Sequence, residues 1–289
     1  MIELLIKGIW YRILARIWKM WSGEASPETS AASSSPATRL PQEIIRIIIA
    51  YITYDTHTLR ACTLTCYSWY IAAVPHLHYS LSLETRSLDG MVWWPNPLWY
   101  MYRLGLLPLV RELHVVDKRF YSGVRLSKRL FNFRVLRPFL TFTNVRELEI
   151  AFLDIPSFLP GIQRYFGHFP PTVRSLTLRE PRGSRREIIY FIGLFQYLQD
   201  LELRYDIAKP EEPADDPTLT PSFIPPLRGW LTLFCFTRVD LLKDMIDLFG
   251  GMRFRYMHLR NVDGMRFLLD ASAKTLEVVV LDPTDPRGG

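Results

Sequence analysis

The sequence lacks the features of a secreted protein and of an enzyme. It has three cysteines, an odd number without the spacing of a disulfide framework, which is typical of reduced thiols inside the cell. It has no phosphate-binding loop, no glycine-rich dinucleotide motif, no serine nucleophile elbow and no paired-histidine zinc motif. His76 and His78 have no partners at metal-ligand spacing. We therefore expect a protein that is not an enzyme and that binds neither a cofactor nor a metal.

Charge of one sign and long apolar runs are also scarce. Lysine and arginine number 35 against 29 acidic residues, a net charge of +6 that is too small to predict nucleic-acid binding. The apolar segment 1–21 is interrupted by Lys7, Arg12 and Arg16, too often for a transmembrane span or a secretory signal. Wound as an amphipathic helix, it fits three roles that stay open: membrane-surface contact, organelle targeting, or packing on the folded body. Residues 22–38, rich in serine, alanine and proline, predict a disordered linker.

An isoleucine-rich stretch is the first strong structural signal in the chain. Leu40-Pro41 and the nearby Glu43 predict a helix that begins at Pro41, because proline loses no hydrogen bond at the first helical position and an acid favours the helix N-terminus. Apolar side chains then leave little polar face, so we expect this helix to be covered on more than one side. They are Ile44, Ile45, Ile47, Ile48, Ile49 and Ile52.

A second helix is predicted over residues 58–66, where Leu59, Cys62 and Cys66 share one side at helical spacing. The two thiols have too few neighbouring ligands for zinc and are expected to be small core residues. Trp69, Ile71 and Val74 are expected to complete the packing. A helical module this small keeps surplus apolar surface, which usually marks a partner site.

The ordered set Leu40-Pro41-x-Glu43-Ile44-Ile45, Leu59-x-x-Cys62 and Cys66-x-x-Trp69 resembles an F-box, in particular the F-box-like domains of fungal proteins. Tyr67 departs from the arginine or lysine common in that family. The resemblance covers residues 39–78 and implies a non-catalytic substrate receptor of an SCF-type ubiquitin ligase, cytoplasmic or nuclear, that binds a Skp-type adaptor and through it a cullin. It implies adaptor contacts by Leu40, Pro41, Glu43, Ile44 and Ile48. The alternative is a generic three-helix cap on the array that follows.

From residue 79 onward a strand-like pattern repeats. Each unit has an apolar residue, two others and then Leu-x-Leu or a close substitute, as in VRELHV from Val110 and VRELEI from Val145. The central apolar residues lie at positions 81, 113, 148, 176, 201, 231, 257 and 279, at intervals of 22 to 35 residues. Helix-like runs, among them residues 127–140, 186–198 and 241–249, separate the strands.

Strand, loop and helix in repetition predict an α/β solenoid over residues 79–289. It resembles degenerate leucine-rich repeats in period, although no asparagine ladder follows the strands. An ordinary α/β domain with parallel strands is the alternative. Residues 208–226, proline-rich and acidic, replace one expected helix; this insertion either folds over the edge of the sheet or hangs free.

Stacked strands would place alternate residues on one concave face. That face grades from acidic units to aromatic ones beside an intermittent row of arginines, a composition that suits a protein or peptide target. The predicted target-binding residues are Glu149, Arg179, Glu202, Arg204, Trp230, Tyr256, His258 and Arg260. A solvated face without a ligand is the alternative. A second function also stays open, a membrane-associated scaffold anchored by residues 1–21, with the helical module only as its cap.

Overall fold

A computed structural model describes residues 40–88, 91–93, 96–117, 137–152, 155, 171–205, 228–234, 239–248, 253–260, 262 and 265–282. The predicted amphipathic helix 1–21, the linker 22–38 and the insertion 208–226 lie outside the described residues. Expectations about them stay predictions.

Three short helices open the described chain: α1 Gln42–Tyr51, α2 Thr56–Thr63 and α3 Tyr67–Leu77. Helix α1 starts one residue later than predicted, because Pro41 is its N-cap and accepts the Ile45 N–H at 3.1 Å. The prediction that this helix is covered on more than one side was wrong. Only the side that carries Ile45 and Ile49 is buried, whereas Ile44 and Ile47 are exposed. The helix therefore packs on one side and presents apolar side chains on another.

The predicted second helix was wrong at both ends. It begins at Thr56, because the Asp55 side chain caps it by accepting the His57 and Thr58 N–H groups at 3.0 and 3.1 Å. It ends at Thr63, and Cys66 adopts an extended conformation as the N-cap of α3. A small core joins the three helices, with Trp69 packed against it; its buried members are Ile45, Ile49, Leu59, Cys62, Ala72 and Ala73. Ile71, predicted to complete this packing, is exposed.

The rest of the described chain is mixed α/β, built on one nine-stranded sheet. The strands are β1 Ser80–Leu88, β2 Met91–Trp93, β3 Glu112–Asp117, β4 Glu147–Ala151, β5 Ser175–Arg179, β6 Asp200–Arg204, β7 Arg228–Phe234, β8 Arg253–Arg260 and β9 Val278–Asp282. Their order is β2-β1-β3-β4-β5-β6-β7-β8-β9. The pair β1–β2 is antiparallel. The other eight-strand series, β1 followed by β3 to β9, is parallel throughout and runs in chain order.

The predicted central residues lie side by side across the sheet. Leu81 pairs with Leu113, and the alignment continues in register through 148, 176, 201, 231, 257 and 279. All are buried except Val279, which is exposed on the last strand. The apolar residue three positions earlier is also buried in several units, as at Val110, Val145 and Val173. The recurrent apolar spacing thus specifies the strand register.

Helices between the strands cover one face of the sheet. They are α4 Asn96–Arg103, α5 Arg185–Gly193, α6 Val239–Leu248 and α7 Met265–Ser272, with 3-10 turns at Leu107–Leu109 and Arg137–Thr141. Leu98, Ile188, Leu241 and Leu268 from these helices join the strand leucines in a single core. The opposite side of the sheet, here called the open face, carries the residues on either side of each central residue.

The predicted helices between strands are only partly correct. The run 186–198 is helical from Arg185 but ends at Gly193. Its start is fixed by a capping box, in which the Ser184 hydroxyl accepts the Glu187 N–H and the Glu187 carboxylate accepts the Ser184 N–H. The run 241–249 corresponds to α6. Of the run 127–140, residues 127–136 lie outside the described part, and the remainder is a 3-10 helix rather than an α-helix.

Candidate functional site

Helix α1 presents an apolar surface that the small core does not use. Ile44, Ile47 and Tyr51 are 43%, 53% and 84% exposed, and their spacing of three and four residues places them along one side of the helix. Leu40, just before the helix, is also exposed. We call these four residues the outer stripe. Apolar side chains arranged in a row on a short helix form a surface suited to a protein partner.

The predicted adaptor-binding residues lie at this surface. Leu40, Pro41, Glu43 and Ile44 are exposed, and Ile48 is half-buried between the outer stripe and the core. The sequence-based prediction missed Ile47 and Tyr51. Helical periodicity places both on the side of α1 opposite Ile45 and Ile49, but the burial of those two residues, which shows that this side is free, is known only from the structure.

The open face consists of three rows of side chains in register. The first row, one residue before each central residue, is Ser80, Glu112, Glu147, Ser175, Asp200, Trp230, Tyr256 and Val278. The second row, one residue after it, is Ser82, His114, Glu149, Thr177, Glu202, Thr232, His258 and Val280. The third row, two residues farther, is Glu84, Val116, Ala151, Arg179, Arg204, Phe234, Arg260 and Asp282.

Carboxylates of the second row have partners. Glu149 lies between His114, at 2.9 Å from Nδ1 to Oε2, and Arg179, at 2.8 Å from Nε to Oε1. Glu202 pairs with Arg204 on the same strand. The predicted row of arginines is present in register, and two of its members neutralise the acids beside them.

The third row continues into an aromatic and histidine cluster. The guanidinium of Arg204 lies 4.8 Å from the ring centre of Phe234, within cation–π distance. Phe234 meets His258 edge to face at 5.4 Å, and His258 Nε2 lies 2.9 Å from Asp282 Oδ2. Arg260 is exposed in the same row. The prediction missed Phe234 and Asp282, although both follow from the repeat by counting three residues past the central position.

First-row carboxylates differ from those of the second row. Among the described residues, Glu112, Glu147 and Asp200 form no ion pair. Burial raises the pKa of the Asp200 carboxyl, and a hydrogen bond from the Trp230 backbone opposes this only in part. Burial, followed by the charge of Glu112, likewise raises the pKa of Glu147, and the charge of His114 opposes this only in part. Carboxylates without an ion-pair partner among the described residues are therefore concentrated along this row.

Trp230 ends the acidic part of the first row and starts the aromatic part. Its ring stacks on Tyr256 with centroids 4.4 Å apart and an interplanar angle of 19°, yet the residue remains 55% exposed. Gly229, at φ +92, carries the irregularity in register between β7 and β8. A Cβ at this position would lie 2.4 Å from the Gln199 carbonyl oxygen, so the close approach of β6 and β7 requires glycine.

A shallow pocket of about 230 Å³ opens beside this tryptophan. Its lining comes from three neighbouring strands: Ser175, Asp200, Leu201, Glu202, Trp230 and Thr232. Tyr256 covers one face of the indole from the β8 side, and the pocket lies on the β6 side. The small Ser175 leaves room between the carboxylates of Glu147 and Asp200. Ser175 was not among the predicted binding residues, because it contributes only a small side chain that leaves space for a ligand.

Two other kinds of site are absent from the described part of the chain. No cluster of three or more His, Cys, Asp or Glu side chains there could hold a metal ion. None of the helices described is long and apolar enough to cross a membrane.

Comparison with known proteins gives no family: no protein-family model matches the chain, and no curated protein matches it significantly.

Proposed function

We propose that this protein is the non-catalytic substrate receptor of a cullin-based, SCF-type ubiquitin ligase. In this proposal the three-helix module is F-box-like and binds a Skp-type adaptor, while the open face binds the protein to be modified. The observation that carries the proposal is the outer stripe. Leu40 and Ile44 belong to the segment whose sequence resembles an F-box, and both are exposed where the resemblance requires adaptor contacts.

The sheet supports the second half of the proposal. Eight parallel strands in chain order, each in register with the next, fit a leucine-rich-repeat-like solenoid in which every unit packs only on its neighbours. Parallel sheets of compact α/β proteins are usually covered on both faces. A sheet with one open face that carries aromatic and charged residues fits a solenoid that binds its target there.

Pull-down of a purified Skp-type adaptor by the full chain tests the proposal. The informative variant is Ile44→Asp, which puts a charge into the outer stripe without touching the buried Ile45 and Ile49. The matched control is Arg46→Asp, an exposed position elsewhere on the same helix. We expect the native chain and the control to bind and Ile44→Asp to bind more than roughly tenfold less tightly, because a central apolar contact is worth about 2 kcal/mol.

Equal binding by Ile44→Asp and the native chain would remove the outer stripe as the adaptor surface. A folded native chain that binds no adaptor would overturn the proposed function as a whole. The scaffold function would then be tested by co-sedimentation with anionic vesicles, with and without residues 1–21.

A further inference from the structure

We propose that the pocket beside Trp230 binds a cationic side chain, an arginine or lysine, of the target protein. This inference rests on the proposed function, because it names the chemistry by which the open face would select its target. It commits to one occupant, a peptide segment that carries a positive charge.

The geometry provides an aromatic wall with one free side. Trp230 is held upright by stacking on Tyr256, so only the indole face toward β6 is available to a ligand. A cation within about 6 Å of a tryptophan ring centre is attracted by the electron-rich face, more strongly for tryptophan than for other rings. At about 230 Å³ the pocket is smaller than the sites that hold drug-sized molecules. It matches a single long side chain better than a cofactor.

The charge around this wall selects the sign of the ligand. Asp200 lines the pocket and has no ion-pair partner among the residues described, and the unpaired Glu147 lies two strands away in the same row. The arginines of the third row do not neutralise Asp200 or Glu147, because Arg179 pairs with Glu149 and Arg204 pairs with Glu202. Glu202 also lines the pocket, and its second oxygen can accept another hydrogen bond. A guanidinium or ammonium group would supply the missing positive charge.

A charged and a neutral peptide of the same shape distinguish binding at this site from nonspecific binding. The probes are N-acetyl-Ala-Gly-Arg-Gly-Ala-amide, its lysine analogue, and the analogue with citrulline, which keeps the shape of arginine but carries no charge. Each is titrated to millimolar concentration into the full chain, and binding is followed by the NMR signal of the Trp230 indole, assigned with Trp230→Leu. We expect the arginine peptide to bind at least roughly tenfold more tightly than the citrulline peptide, since charge-assisted hydrogen bonds and a cation–π contact are both lost.

Two substitutions locate the binding. Asp200→Asn keeps the shape of the side chain and removes its charge, and we expect it to lose most of the preference for arginine over citrulline. Asp240→Asn, on the exposed surface of α6, removes the same charge elsewhere and is expected to leave the preference unchanged. Trp230→Leu is expected to weaken the binding of both cationic peptides. For this variant, binding is measured by calorimetry.

Three outcomes would overturn the inference: no binding of the arginine peptide, equal binding of the arginine and citrulline peptides, or an arginine preference that survives Asp200→Asn. The adaptor pull-down is run on the same preparation. Arginine-selective binding without adaptor binding would contradict the proposed function alone, and adaptor binding without arginine selectivity would contradict this inference alone.

Discussion

Asp200 illustrates a residue whose charge destabilises the fold. Burial raises its pKa, so the native state holds the proton more tightly than the unfolded chain does. The free energy of unfolding therefore decreases as the pH rises from the ordinary aspartate pKa to the raised one, and the loss persists at neutral pH. A carboxylate kept at such a cost beside an exposed tryptophan is typical of a binding site.

The variant Asp200→Asn tests this account through its pH dependence. We expect its thermal midpoint to exceed that of the native chain at neutral pH, because the amide avoids the cost of a buried charge. Well below the ordinary aspartate pKa both side chains are neutral, so the difference should vanish. Circular dichroism melts at a series of pH values measure this, and Asp240→Asn on the solvent side of α6 is the control. A midpoint difference independent of pH would show that packing, not charge, is responsible.

Gly229 is a second residue with a specific physical role. Gly229→Ala must place a Cβ 2.4 Å from the Gln199 carbonyl oxygen while holding φ at +92. Gly105, at φ +66, is the matched control, because a Cβ there would meet nothing within 4 Å. Positive φ alone costs an alanine about 1 kcal/mol, and a backbone clash adds about 2 kcal/mol. Denaturant titration should therefore show Gly229→Ala to be clearly the less stable of the two variants, and equal losses would contradict the clash.

At the scale of elements, strand positions were predictable and helix limits were not. Strand register follows from the Leu-x-Leu spacing, since a slip of one residue would exchange the buried and open faces of a strand. Cys66 was wrongly placed inside a helix because apolar periodicity continues through it, although the chain becomes extended there. Strand β2 was not predicted, since three residues carry too little periodicity to identify a strand.

The candidate surfaces were predictable in outline only. Counting from the repeat gives the rows of the open face, including Trp230 beside Tyr256. Which carboxylates have partners depends on distances between strands. The pairing of Glu149 with Arg179, and the lack of an ion-pair partner for Asp200 among the described residues, could therefore not be deduced from sequence. Likewise, the composition of α1 indicated an apolar helix but not which side would remain uncovered.

At the scale of the whole molecule, the outer stripe and the open face are the surfaces that the two cores do not bury. The three-helix module buries one side of α1, and the helices of the repeat array bury one face of the sheet. The two cores share no buried residue. A charge introduced into the outer stripe should therefore leave the open face intact, which is why adaptor binding and peptide binding can be tested independently.

The last strand leaves the sheet with an exposed apolar edge. Val278, Val279, Val280 and Leu281 are all exposed, and within the described part of the chain β9 pairs only with β8. Unpaired backbone groups beside exposed β-branched side chains form a template for pairing with another chain, unless charge opposes it. We expect the purified chain to self-associate as its concentration rises. Leu281→Lys should keep it at its monomer mass of 33.8 kDa in sedimentation velocity, because a lysine at the edge must be desolvated on pairing. Tyr54→Lys removes a more fully exposed apolar side chain, from the helical module, and is the control. If Tyr54→Lys prevents association and Leu281→Lys does not, the chain associates through its helical module and not through β9.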